Sequence, residues 1–299
     1  MDSLVLLGEA ASLGAALLWA VTLTMFRPAV DEHGAWTVNL GKSSIAAALL
    51  ALTVLAMGEA TALAAAPGRG VAVTALSGVV GLTLGDTALF GAIRRLGVYR
   101  ALLFQTLGPV FAALIEIGFY GVAPRPARLA GIAVVLAGVA LVFSPARPRT
   151  AAPPRDVLGY VLAVVAAFGQ GAGVVLAKDG MGDLPLVSAS FLRLLAGMLS
   201  MILVMSVNGR LRGAVRYLAA WRTLRRVVPP TFLGTYVAIL MMMAGVAWAP
   251  ASVAAVLLST SPIFSLFIDH WTAGTPLTLR ALAGTAVAVA GVGVLAAAG

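Results

Sequence analysis

Apolar runs separated by short clusters of glycine, proline and charge fill almost the whole chain. A membrane-spanning helix needs about 20 mostly apolar residues. Cutting at those clusters leaves ten candidate spans: residues 4–26, 35–57, 71–93, 98–119, 127–144, 157–177, 186–207, 228–247, 250–269 and 279–297. The connectors are short. The longest, around Asn208–Arg226, holds six arginines and a Trp-Arg pair and reads as an interfacial amphipathic segment. The first run lacks the basic lead of a cleaved signal, carrying Asp2 instead, and outlasts an h-region, so it is expected to be a retained helix.

Composition decides what surrounds these runs. The 299 residues are 61% hydrophobic and 10% charged, with a mean hydropathy of +1.03. Soluble domains carry roughly 45–50% apolar and about 25% charged residues, and a soluble surface cannot hide such an excess. Lipid is therefore the outer solvent and the bilayer a partner, which predicts a multi-pass protein of the bacterial inner (plasma) membrane. Cysteine is absent, so disulfide and thiolate chemistry are excluded. The formal charge of +9 lies mainly in arginines of the connectors, where membrane proteins place them, so nucleic acid is not an expected partner.

The chain repeats itself. Pro109 and Pro262 stand 153 residues apart, and the same offset relates Phe111 to Phe264, Glu116 to Asp269, Gly131 to Gly284 and Gly138 to Gly291. Earlier in each half an offset of 151 relates Trp19 to Gln170, Arg27 to Lys178 and Lys42 to Arg193. Two repeats are expected, residues 1–148 and 156–299, joined by a linker at 149–155 that overlaps the proline-rich stretch Ser144–Pro154. Each holds five spans, an odd number, so the second must enter the membrane from the opposite side. The expected fold is therefore all-α, ten transmembrane helices as two inverted five-helix repeats around a central cavity, an arrangement used by secondary transporters.

Three patches carry a family resemblance: Leu17-Leu18-Trp19 followed by Arg27; Phe191-Leu192-Arg193; and Leu107-Gly108-Pro109-Val110-Phe111, repeated at Ser261-Pro262-Ile263-Phe264. In series they resemble the EamA-type members of the drug/metabolite transporter superfamily over nearly the whole chain. The resemblance implies a ten-helix basket that moves metabolites, amino acids or drugs. The chain departs from the pattern in two places. The fourth helix of each repeat often ends in Gly-Glu, whereas Val122 and Thr275 follow the glycines here. Related four-helix transporters use a first-helix Glu for proton coupling, and Ser12, Leu13 and Gly14 stand near that position.

Ionisable groups inside a membrane are costly and mark candidate sites. Asp86 can bind a substrate amine or a proton, or it can be a structural carboxylate paired with Arg94 or Arg95. Lys42 and Arg193 can bind a carboxylate or phosphate, or snorkel and cap helix ends; their symmetry favours structure. Glu116 and Asp269 are candidates for a gating ion pair or proton site. Trp19, Gln170, Phe90, Tyr99, Gln105 and Tyr236 are candidates for a cavity lining. Pro109 and Pro262 are expected to kink their helices and free backbone carbonyls, as hinges or as shape.

No enzyme constellation, metal cluster, cofactor motif or phosphate loop can be assembled: the stretch ending Gly41-Lys42-Ser43 has Trp36 where a glycine is required. A secondary transporter, most simply an exporter, is the expected function, with a small-molecule substrate, a role for protons, and a monomer or homodimer as its assembly. The alternatives are a scaffold or receptor without a polar cavity, and a lipid-acting enzyme.

Charge also bears on orientation. The odd-numbered connectors hold fourteen Lys and Arg and the even-numbered ones four, so the positive-inside rule puts both termini outside, whereas the resemblance implies both inside. Charge asymmetry predicts that a reporter fused at Gly299 gives an external signal and one in the 208–226 loop a cytoplasmic signal. A cytoplasmic signal at Gly299 would overturn the charge argument.

Overall fold

The computed structural model describes residues 2–122, 125–143, 156–182, 184–249 and 251–298. The expected linker at 149–155 and the stretch Ser144–Pro154 lie outside them. Described residues form helices and connecting turns, with no strand among them. Among the described residues ten long helical segments follow one another and are called helices 1 to 10 in chain order. Nine are long and apolar enough to cross a membrane: Ser3–His33, Ala35–Ala56, Gly68–Leu96, Val98–Phe119, Val157–Gly180, Leu186–Val207, Arg222–Gly245, Val253–Ala273 and Leu279–Ala297. Helix 5, Pro126–Phe143, is apolar but shorter.

Two boundaries depart from expectation. Helix 1 runs past Arg27 and Pro28 to His33, where Gly34, at φ +81°, turns the chain into helix 2. The 208–226 connector is helical. A short helix Leu211–Leu218 is followed by Trp221–Thr231, which runs into helix 8 through Pro229 and Pro230. The chain accommodates the two prolines by passing directly into a π-helical stretch, Phe232–Val237. Helix 3 carries a π stretch too, Val79–Gly85, and the two begin 153 residues apart, at the repeat offset.

Helices 4 and 9 are broken just before their prolines. Helix 4 consists of Val98–Gln105 and Gly108–Phe119, and helix 9 of Ala251–Leu258 and Ser261–Ala273. Each proline opens the second piece, where its missing N–H costs nothing. Hydroxyls serve carbonyls at the breaks: Thr106 Oγ1 donates to Leu103 O at 2.7 Å and Thr260 Oγ1 to Leu257 O at 2.6 Å.

Packing between helices rests on glycine, because lipid tails give apolar side chains no reason to prefer each other and close backbone contact must supply the attraction. Helices 3 and 6 run antiparallel with Gly81 against Gly173 and Gly85 against Gly169. Helices 5 and 10 do the same, with Gly131 and Gly138 against helix 10 and Gly284 and Gly291 against helix 5. Helix 1 packs on helix 8 through Gly8 and Gly245, and helix 2 packs on helix 7. The main pairings thus join one half of the chain to the other.

Polar contacts sort the connectors into two ends. At one end Glu32 pairs with Arg226 at 2.7 Å, Arg95 with Asp156 at 3.0 Å, and Asp269 accepts the Tyr99 N–H at 3.1 Å. Asp156 also caps helix 6 by accepting the Gly159 N–H, and that bond, with Arg95, holds its carboxyl below the usual range. At the other end Arg69 reaches Asp179 at 3.3 Å, Arg128 pairs with Glu116 at 3.1 Å, and Arg125 reaches the Ala298 carbonyl at 3.5 Å.

A side chain at Gly138 would collide with the backbone of Ala288 and Gly284, whereas Gly118 has open space. Gly138→Leu is expected to destabilise by about 1–3 kcal/mol through overpacking, seen as a lower Tm in detergent, and Gly118→Leu to change it little. An unchanged Tm in Gly138→Leu would show that this contact does not hold helices 5 and 10 together.

Candidate binding cavity

A cavity of about 650 Å³ lies between the two halves, within the ~300–1,000 Å³ usual for ligand pockets. Its floor is the packed cluster around Phe26, Val30, Val38, Ala92, Ile93, Val98 and Val227, contributed by the ends of helices 1, 2, 3, 4 and 8 near Glu32. Phe26 and Phe90 meet there edge to face, with centroids 5.4 Å apart. From this floor the cavity runs toward Glu116 and Arg128 at the opposite end.

On the floor lies a buried ion pair. Lys42 from helix 2 contacts Asp86 from helix 3; both residues are 8% exposed, and the ammonium lies 5.5 Å from the centre of the Phe90 ring. This corrects the expected partners of Asp86. Arg94 and Arg95 lie eight and nine residues further along the same helix, about 12–13 Å up its axis, and Arg95 is taken by Asp156. Lys42 likewise neither snorkels nor caps a helix end.

The π stretch of helix 3 ends at Gly85, immediately before Asp86. Asn39, fully buried one turn before Lys42, donates to Leu82 O within that stretch at 2.8 Å and to Thr87 Oγ1 at 2.9 Å. Thr83 donates to Gly197 O at 2.9 Å and shares a 2.6 Å bond with Ser200 Oγ, tying helix 3 to helix 7. These residues escaped the sequence reading. Asn39 left one faint signal, a lone amide one helical turn from a lysine inside an apolar run.

Arg193 lines the cavity from helix 7, opposite in sequence to Lys42 but unlike it in contacts. Its Nε is buried with no hydrogen-bond partner, and its Nη2 lies beside Gly81, where a Cβ would stand 3.4 Å away. Trp19, Gln170, Gln105, Pro109, Pro262 and Thr235 also line the cavity.

Three candidates lie outside the lining. Tyr99 uses its hydroxyl on Thr285 at 2.9 Å and on Ala281 O, Tyr236 bonds Thr53 at 2.8 Å, and Asp269 joins helix 9 to the start of helix 4 through the Tyr99 N–H. Glu116 does line the cavity, paired with Arg128 and 3.9 Å from Lys178. Arg128 stands at the very start of the expected fifth span, and its pairing across helices 4 and 5 leaves no trace in sequence. Among the described residues no cluster of metal-ligating side chains occurs.

A helical membrane protein with a charged-and-apolar cavity between two cross-paired halves is the class that fold and site define. The sequence model of the EamA-like transporter family matches residues 6–144 and again residues 157–297, and the chain belongs to that family. A crystal structure among solved proteins superposes with a TM-score of 0.65 over 96% of this chain and 94% of its own, at 19% identity. That likeness is one of fold. No curated protein matches.

Breaking a buried pair leaves an uncompensated charge, at a cost of about 3–5 kcal/mol, whereas removing both charges is far milder. Lys42→Met and Asp86→Asn are each expected to lower the Tm, and the double variant to recover most of the loss. Additive losses in the double variant would show that the two side chains do not act as a pair.

Proposed function

We propose that this protein is a secondary transporter that exports small metabolites, amino acids or drugs across the inner membrane of a bacterium by alternating access. One observation carries the proposal: the cavity is closed by packed side chains at the Glu32 end and continues toward Glu116 at the other. A cavity lined by one chain makes a monomer sufficient. In this reading the ten helices all span, as two inverted five-helix repeats bounded near residues 148 and 156. The sorting of polar contacts supports that count: connectors meet others of the same parity, and helix 5 sets out from the Glu116–Arg128 end. Inversion supplies the second state, in which equivalent elements of the other half close the Glu116 end and the floor opens. Coupling to protons runs through Asp86.

The chain has no cysteine, so single cysteines report access directly. A membrane-impermeant maleimide is expected to label Ser190→Cys in the cavity and to spare Val30→Cys in the floor, with substrate raising labelling of Val30→Cys. Counterflow of radiolabelled solutes in proteoliposomes tests transport itself. Absence of counterflow together with fixed labelling would sink alternating access. Proton-driven transport retained in the double variant Lys42→Met/Asp86→Asn would remove Asp86 from coupling.

A further inference from the structure

We propose that the cavity takes an amphipathic monocarboxylate, whose carboxylate pairs with the Arg193 guanidinium and whose apolar body lies along the walls. The inference deepens the transport proposal and rests on it for treating the cavity as a substrate site. Five ionisable side chains line the cavity, Lys42, Asp86, Glu116, Arg128 and Arg193. Four are already matched, Lys42 with Asp86 and Arg128 with Glu116. Among the described residues Arg193 alone of the five shows no ion pair or hydrogen bond, and its Nε is shut away from water. Asp86 lines the same cavity, and Lys42 holds that carboxylate.

An arginine Nε enclosed without a partner is expensive, because that donor has lost water and gained nothing. A planar fork of five N–H donors fits a carboxylate with two parallel bonds. The lining carries three bases against two acids, so one negative charge balances it. A dianion would overshoot, and a cation would enter a site already positive. An ammonium group would need a carboxylate, and both carboxylates are held by cations, which disfavours a zwitterion relative to the simple acid. The remaining walls, among them Trp19, Phe26, Phe90, Leu82, Leu194 and Met242, suit an aromatic or branched hydrocarbon body.

The test is titration calorimetry on the purified full-length chain with four ligands of one shape: phenylacetate, phenylacetamide, phenethylamine and phenylalanine. Phenylacetate is expected to bind, the amide and amine not to, and phenylalanine to bind more weakly. Arg193→Gln is expected to weaken phenylacetate by roughly ten- to a hundredfold, the worth of a charged hydrogen-bonded pair. Arg193→Lys, which keeps the charge but not the fork, is expected to fall between. Size-exclusion profiles like that of the parent certify that both variants fold; if Arg193→Gln does not, the Lys variant and the ligand series decide. Absence of phenylacetate binding, equal binding of the amine, or parental affinity in Arg193→Gln overturns the inference. Counterflow separates the two proposals. Solutes that cross regardless of Arg193 leave transport standing and remove the carboxylate. Tight, Arg193-dependent phenylacetate binding without counterflow of any solute does the reverse.

Discussion

A chain that crosses hydrocarbon must satisfy its backbone without water, and each unmet group there costs several kcal/mol. That constraint shapes this molecule more than any single contact. It forces helices everywhere, and it demands repair wherever a helix is interrupted. The breaks before Pro109 and Pro262 are served by Thr106 and Thr260. The π stretch of helix 3, whose ladder is shifted by one residue, gives Leu82 O to the buried Asn39 amide. Irregular backbone thus occurs beside the cavity and is paid for by neighbouring side chains.

Close backbone contact then decides which helices meet. Glycines at corresponding places in both halves pair helix 3 with helix 6, helix 1 with helix 8, and helix 5 with helix 10. Because these partners come from different halves, neither half packs as an isolated unit, and the space left between them becomes the cavity. The charged residues are positioned by this scaffold, with Lys42 and Asp86 brought together from helices 2 and 3 and Arg193 contributed across the divide by helix 7. Two positions related by the repeat therefore present one neutralised and one unneutralised cation to the same space.

Much of the fold was legible because lipid imposes so strong a pattern: apolar runs of spanning length, arginine-rich connectors, and proline and glycine recurring at one offset. Helix 8 begins before its expected start at residue 228 because Arg222, Arg225 and Arg226 mark a connector in sequence yet lie on the helix, and the π stretch that follows Pro229 and Pro230 has no sequence signature. Part of the cavity lining was legible too, since Trp19, Gln170 and Asp86 are polar or amphipathic residues inside apolar runs, and such residues face neighbouring helices. Partners were not. Lys42 and Asp86 are 44 residues apart, and only the angular positions of two helices bring them into contact. Tyr99 and Tyr236 misled for a related reason: a hydroxyl that can face a ligand can equally tie two helices together.

The matching π stretches at Val79–Gly85 and Phe232–Val237 make the placement of the following side chains a matter of counting. A π turn holds one residue more between bonded groups than an α turn, so each third helix contains, in effect, an inserted residue. Deleting one residue from helix 3 would let the ladder return to the regular form without shortening the span appreciably. Because the wide turn absorbs that residue, later side chains would keep their bearing, whereas the same deletion in a regular stretch would swing them by about 100° relative to what precedes. The surplus residue is therefore felt locally, in the Leu82 carbonyl offered to the Asn39 amide, and a helix shortened there by one residue would keep its acid turned toward Lys42 while losing that tie to helix 2.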